Sequence, residues 1–566
     1  MPLAHITRPA SQINNKSVKR LVAKTIYVDS INGNNINSGA SQALPVQTLS
    51  KANELLINNT IVYLKKGQTY RGTIFVDFVN GCIIDSYGTG KHPILEGTEP
   101  INKANFTLTN GQTKTYQVSW SFPDSLVTNC SEFGARVWET NVGIEKVLIK
   151  KTSIEDVESS PGSYFSDLGN NTVYVHPTDS TNPVTNSFTY DACAHAGGIQ
   201  GLSNSSNGTR DNIVRNIRVR RPGANNGGIV LSQECSILNC AVEWGGKHHV
   251  LLGSGTIDTL YCYKGDEAIN PIVFFESKAF VGGTKSLKCR NIKIIDVGDS
   301  PGGVIYCHLL TGERYETTQF DDCVISRNGK TTGFHWGSLF ESKEIIFNNC
   351  LSIGGQAAVG LDSNPDKIVM NGCEIIGADR GIQRNAVYTP VQQFIFNNGA
   401  IKDCGFAFYI VGQMDLEVTN SVFQNTTPFT FPNHFNKSYS VNKSILRGRQ
   451  NEFVYDFWTQ QIDGTKTGDS NLYDTNGVNP DRFYRLGFDA GHSLTEWKTN
   501  YGIDLNTQIE TPIKWQGNPS LRQYQLASNS LGFASGVGIL NTFTQKYPGL
   551  TPVQIETTIK AEADAL

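Results

Sequence analysis

The chain has 566 residues, with 55 glycines, 17% charged residues and a formal net charge of −3. Phosphate recognition needs concentrated Lys and Arg, so this balance excludes nucleic acid as an expected partner. No run of about 20 apolar residues occurs, which excludes an expected membrane-spanning helix, and the abundance of glycine and polar turn residues points to an all-β protein.

Residues 1–24 read as a polar N-terminal arm without the apolar core of a secretory signal, so the expectation is synthesis in a cytosol. Residues 25–98 read as a cap followed by the first β turns. Within them, TIYVDSINGNN gives a strand and a Gly/Asn loop, and residues 48–57 (TLSKANELLI) fit a short amphipathic helix with Thr48 or Ser50 as N-cap. Such a helix would cover the open backbone edge of the first turn. Residues 99–200 break the rhythm and read as a small inserted β unit. The main coil runs over residues 201–455. Residues 456–566 are aromatic and irregular, and end in a helix from Pro552, where Thr551-Pro552-Val553-Gln554 has capping-box form with Pro at N1.

Ten copies of one pattern define the coil: 214–219 (VRNIRV), 237–242 (ILNCAV), 259–264 (TLYCYK), 289–294 (CRNIKI), 320–325 (FDDCVI), 347–352 (FNNCLS), 370–375 (MNGCEI), 396–401 (FNNGAI), 418–423 (VTNSVF) and 441–446 (VNKSIL). A short apolar strand recurring at this period, with no helical pattern between copies, predicts a solenoid of stacked β turns. Cys240, Cys262, Cys323, Cys350 and Cys373 take the fourth position, which predicts one inward column of free thiols rather than disulfides or a metal site.

Several segments together resemble the right-handed parallel β-helix proteins of the pectate-lyase-like class. YVDSINGNN with the TLSKANELL helix resembles their N-terminal cap, IDSYGTGKHPILEG their first-turn motif, SSPGSYFSDLGNNTVYVHPTDSTNP an insert of polysaccharide-acting members, and EWKTNYGIDLN their closing segment. The third-position asparagines (Asn216, Asn239, Asn291, Asn349, Asn398, Asn420) resemble the asparagine ladder of such folds, in which stacked amides bond from turn to turn. The resemblance implies a right-handed parallel β-helix. With the missing secretory signal and the polar arm, it is most similar to phage tailspikes and their depolymerases. It implies a homotrimer, attachment to another virion tail protein through the arm, and a place in the virion tail; an extracellular location is the alternative.

A β-helix buries its interior, so chemistry must sit on outer faces. The fourth positions of successive copies are 23, 22, 30, 31, 27, 23, 26, 22 and 23 residues apart. The three long turns select residues 262–350, where extra residues must leave as loops. A second strand follows each copy: 250–254 (VLLGS), 273–277 (VFFES), 305–309 (IYCHL), 334–338 (FHWGS), 359–363 (VGLDS) and 382–386 (IQRNA). Aligned on their first apolar residue, strand alternation puts Phe274, Tyr306, His335 and Gln383 in one outward column, and Glu276, His308 and Asp362 in another, with Trp336 inward. Glu276 and His308 become neighbours, as do Tyr306 and His335.

Glycoside hydrolysis needs two carboxyls roughly 5–9.5 Å apart, and Glu276 and Asp362, three turns apart, are about 14 Å apart. A hydrolase would need a loop carboxylate such as Asp266, Glu267, Asp296 or Glu313. A β-eliminating lyase needs a base, an acid and a cation for the uronate. His308, His335 and Tyr306 supply the first two, and Lys278, Arg314 or Lys330 the third. The expected activity is cleavage of a bacterial surface polysaccharide, with elimination favoured over hydrolysis and no cofactor. A non-catalytic carbohydrate-binding tail protein and a purely structural shaft remain the alternatives.

Overall fold

The computed structural model describes residues 22–77, 79–122, 136–201, 209–223, 227–245, 248–264, 271–275, 286–295, 304–308, 314–327, 332–336, 341–361, 365–384, 393–411, 414–431, 438–447, 454–457, 466–474, 483–486, 491–510, 513–514, 516, 522, 524, 526–531 and 545–566. At 275, 306–308, 314, 332–336, 341, 431, 456–457 and 466 it describes the backbone alone.

The chain is a right-handed parallel β-helix. Each full coil contributes two successive strands, with a bend between them, to a 25-stranded parallel sheet and returns through a 13-stranded parallel sheet. The bend between the first two strands lies at the third residue of the repeat. Asn216, Asn239, Thr259, Asn291, Asp322, Asn349, Asn398, Asn420 and Lys443 all have φ between 49° and 62° there. Left-handed backbone is costly for most side chains and least so for Asn, Asp and Gly, which explains the asparagine enrichment.

The bend corrects one copy of the repeat. Cys240 pairs with Leu260, and Leu260 with Ile292, so the third copy is 257–262 and not 259–264. Thr259 makes the bend, and Cys262 lies two residues past the thiol column, between Val242 and Ile294. The cysteine at 262 mimics the fourth-position marker, while the turn geometry is carried by a threonine. Cys323, Cys350 and Cys373 do form a contiguous column, and each of the ten described cysteines is a buried free thiol.

The amide ladder also changes place. In the early coils it runs through third positions: Asn239 Nδ2 donates to Asn216 Oδ1 at 2.9 Å, and Asn216 Nδ2 to Asp85 Oδ1 at 2.8 Å. Further on it moves to second positions, where Asn371 Nδ2 donates to Asn348 Oδ1 (3.1 Å) and Asn348 Nδ2 to Asp321 Oδ1 (2.8 Å).

Inside, apolar residues stack in register. Ring centroids of Phe408 and Phe429, Phe429 and Tyr455, and Tyr455 and Trp497 are 5.5, 5.0 and 5.0 Å apart and the rings of each pair are nearly parallel. Trp497, fully buried on the helix Leu494–Tyr501, ends this stack and donates to Asp504 Oδ2 at 2.9 Å. At the other end sits the cap helix Leu49–Leu55, shorter than the sequence suggests. Thr48 is its N-cap, accepting from the Lys51 amide at 3.2 Å. The Asn53 side chain donates to Thr73 O (2.8 Å) and accepts from Phe75 N (3.1 Å), imitating a neighbouring strand along the sheet edge.

Strand Thr98–Ile101 leaves the coil and pairs antiparallel with Thr189–Cys193 in a 4-stranded antiparallel sheet, which with a 5-stranded mixed sheet builds a unit whose own core lies around Trp138, Tyr164 and Tyr190. Arg136 fastens this unit to the coil through the carbonyls of Pro222, Trp244 and Gly245. The C-terminal helix Pro552–Ala565, with the expected capping box and Pro at its start, seats Ile555, Ile559 and Ala563 against Tyr261, Tyr263, Ile295 and Val324 of the first sheet.

Candidate functional site

The 13-stranded sheet positions the candidate groove. One column of register partners runs Phe75, Gln200, Val230, Leu251, Val273, Tyr306, His335, Gly360, Gln383, Tyr409, Thr430, Asp456, Arg485. The columns beside it, such as Ile229, Val250, Ile272 and Ile305 or Leu231, Leu252 and Phe274, belong to the main core, whereas Gln200, Val230, Leu251 and Val273 do not. Strand alternation therefore sets this column on the outer side of the coil.

Tyr306 and His335 are partners in it. Glu276 and His308 are not partners. Phe275 stands opposite His308, and Phe274 is fully buried in the core beside Leu252. The strand begins at Ile272, not Val273, so the expected alignment was one residue out there, and a one-residue slip exchanges the two faces. Trp336 shares its row with Cys307 and Leu361. Arg314 starts the strand Arg314–Asp321 of the other, 25-stranded sheet, opposite Glu341. Gln383 joins Gly360 and Tyr409 and is largely covered. Glu276, Lys278, Lys330, Asp266, Glu267 and Asp362, with Asp296 and Glu313, lie outside the described residues.

The column continues past Gln383 into residues that the sequence alone did not single out. The Arg380 guanidinium sits over the Tyr409 ring, 4.1 Å from its centroid, and Phe406 adds a second ring at 5.6 Å. All three are partly exposed. A signal was present: the strand Phe406–Ile410 (FAFYI) repeats the apolar alternation of its predecessors, and extending the alignment by one strand finds Tyr409. Gly360, between His335 and Gln383, contributes no side chain to its row.

Buried arginine supports the strand that carries Gly360. Arg327, 3% exposed, donates to Ala357 O (2.8 Å), Gly354 O (2.8 Å) and Ser352 Oγ (3.1 Å), holding the bend from which strand Ala357–Leu361 departs. Burial lowers its pKa to about 9. Arg384 lies in the inward row between Leu361 and Ile410, and burial lowers it to about 10.

No family profile and no curated protein matches the chain. Solved structures that are similar include the complex of XylC with xylose, at 9% identity and a TM-score of 0.45 over 87% of this chain and 88% of that one. A structure described as a glycoside hydrolase is 10% identical with a TM-score of 0.34, over 89% and 99% of the two chains. The GH136 lacto-N-biosidase of Eubacterium ramulus is 10% identical with a TM-score of 0.30, over 87% and 69%.

Proposed function

We propose that the protein binds and cleaves a bacterial surface polysaccharide by β-elimination, as a phage tailspike-like depolymerase. The observation that supports this most directly is the pairing of Tyr306 with His335 in an outer column whose first carboxylate, among its described register partners, is Asp456, five strands beyond His335. A retaining or inverting hydrolase needs two carboxyls. A lyase needs a base to remove the proton at C5 of a uronate and an acid to protonate the leaving oxygen, and His and Tyr suit those tasks near neutral pH. In this reading His335, with His308 in the adjoining column, is the base and Tyr306 the acid. Arg380 holds the uronate carboxylate while Tyr409 and Phe406 carry the apolar face of the sugar ring. The proposal includes a homotrimer in the virion tail, joined to a further tail protein through residues 1–24.

The test incubates the full chain with capsule or O-antigen of candidate hosts, following reducing ends and the ultraviolet absorbance of an unsaturated uronate together. Elimination gives both signals. New reducing ends without absorbance would replace it by hydrolysis, and binding without shortening by a non-catalytic role. His335→Ala and Tyr306→Phe are expected to lower the rate by roughly 10²–10⁴-fold each.

A further inference from the structure

The inserted unit carries a serine and a histidine that the groove chemistry does not use. His176 ends the strand Thr172–His176 and is 1% exposed. Its Nδ1 lies 2.9 Å from the carbonyl of Val157, and its Nε2 lies 2.9 Å from Ser180 Oγ. A carbonyl only accepts, so Nδ1 carries the proton and Nε2 is left with a lone pair. The Ser180 hydroxyl therefore donates to Nε2. Nucleophile and base stand in this relation in hydrolytic triads, with a backbone carbonyl here where those have a carboxylate.

The backbone holds the pair in place. The Ser180 amide donates to Pro177 O at 2.9 Å and closes a turn. Thr178 is tied by its amide to the buried Glu139, with Oε2 at 3.1 Å, and Thr181 by its amide to Asp179 Oδ1 at 2.9 Å. Val157 is fully buried on the helix Ile154–Glu158, which packs on the same strand. Ser180 itself has φ 58°, a left-handed backbone that suits Gly, Asn or Asp better than Ser. Strain of this kind, fixed by its surroundings, concentrates at functional sites. Serine gives this turn nothing that glycine would not, except a hydroxyl, and the hydroxyl goes to His176. Ser180 is only partly covered, whereas the base behind it is shut away from water.

We infer that Ser180 and His176 form a nucleophilic dyad that hydrolyses small acyl esters of the O-acetyl class. As Oγ bonds the acyl carbon, His176 Nε2 takes the hydroxyl proton, and it gives that proton to the alcohol oxygen as the ester C–O bond breaks. Water then repeats the two steps on the acyl-serine, releasing the carboxylic acid and restoring Ser180. The Val157 carbonyl steadies the imidazolium through Nδ1 but brings no full charge, so turnover is slow beside that of a triad. Thr178, Asp179 and Thr181, the neighbours of Ser180 on the turn, are polar, which suits a short acyl group on a polar alcohol over a long apolar chain. This chemistry is independent of the function proposed for the groove.

The test treats the full chain with a fluorophosphonate probe, maps the label by mass spectrometry, and follows hydrolysis of p-nitrophenyl acetate and p-nitrophenyl octanoate. Ser180 is expected to take the label. The acetate should be hydrolysed at least about tenfold faster than by Ser180→Gly, since general-base assistance is worth roughly 10²–10⁴-fold, and the octanoate more slowly than the acetate. Glycine suits the left-handed backbone, so this variant loses the hydroxyl and keeps the fold, which its urea midpoint checks; Ser180→Ala is the second variant. Absence of label at Ser180, label without turnover, or equal turnover in both variants and the parent would each overturn the inference and leave a hydroxyl that only props the turn. Preference for the octanoate would overturn the substrate class. Neither readout involves a polysaccharide, so failure here leaves the groove reading as it stands, and absence of polysaccharide cleavage leaves the dyad as it stands.

Discussion

The Arg522 guanidinium lies against the Glu374 carboxylate, Nε to Oε1 at 2.8 Å, although 148 residues separate them. Both side chains are 2% exposed, and Tyr524 donates to the same Oε1 at 2.9 Å. Arg522 also donates to the carbonyls of Lys546 and Tyr547, so one side chain ties three distant stretches of chain together. Removing one partner of such a pair leaves the other charge buried. Arg522→Met is expected to cost about 3–5 kcal/mol in urea unfolding, and Arg522→Met with Glu374→Gln to recover part of it. Equal losses in the single and double variants would contradict this account.

The C-terminal helix is held by its apolar face. Ile559, fully buried against the first sheet, should lose about 2–5 kcal/mol on replacement by Ala. Val553, 71% exposed on the same helix, should change by less than about 0.5 kcal/mol. Similar unfolding midpoints for the two variants would show that the helix contributes little.

Stability should fall on mild acidification. Burial lowers the pKa of His249 to about 4, and burial with nearby Lys66 lowers His92 to about 4, from an ordinary value of 6.5. The unfolded chain therefore takes up these protons first. The stabilisation is complete above pH 6.5 and declines as pH falls towards 4, by up to roughly 3 kcal/mol for His249. Between pH 6.5 and about 5 the Asp77 carboxyl, raised to about 6 by burial, takes up its proton in the folded chain and opposes the loss, so the check is the difference between variants: urea midpoints should drop less in His249→Gln than in the parent. An unchanged slope in the variant would assign the effect elsewhere.

Native thiols should be inert. Burial pushes the Cys262, Cys323 and Cys373 thiols up, out of reach of neutral-pH thiolate chemistry, whereas Cys350 is lowered to about 5, against the effect of burial, by hydrogen bonds from Cys323 and Cys373, and its burial alone shields it. Maleimide should leave the ten described cysteines unlabelled until denaturant is added. Rapid native labelling at Cys323, Cys350 or Cys373, mapped by mass spectrometry, would mean that the coil opens there.

In the groove, Tyr409→Ala should raise KM for the cleaved polysaccharide about tenfold with little change in kcat, because the ring binds substrate and transition state alike. A selective loss of kcat would place Tyr409 in the chemistry instead.

The repeat exposed the coil and most of its register, because an inward residue at every first and fourth position is a periodic demand. It misled where a residue type stood in for geometry. Cys262 took the place of Leu260, and the bend that would have corrected the reading sits at Thr259, which few rules mark as left-handed. Val273 took the place of Ile272 because both are apolar, and that exchange turned Phe274 outward on paper. The Tyr306–His335 pair was legible since its strands start on unambiguous apolar residues. Arg380 over Tyr409 was not, since it joins residues on neighbouring coils whose only sequence trace is one more alternating strand. The Glu374–Arg522 pair left no trace in any period, being a contact between the coil and an aperiodic tail.

A stack of coils is, seen from its first strand, a template with no internal instruction to stop. At this end the instruction is given once for each sheet: the Asn53 amide lays two hydrogen bonds' worth of counterfeit strand on residues 73–75, and Gly39 and Val46 pair with the outer edge of Lys24–Val28. At the far end the flat face of Trp497 finishes a pile of rings that would otherwise accept another. Length in this molecule is therefore an enforced quantity. With the stops removed, the coil would end in open strand edges, and open edges are templates for association with another chain.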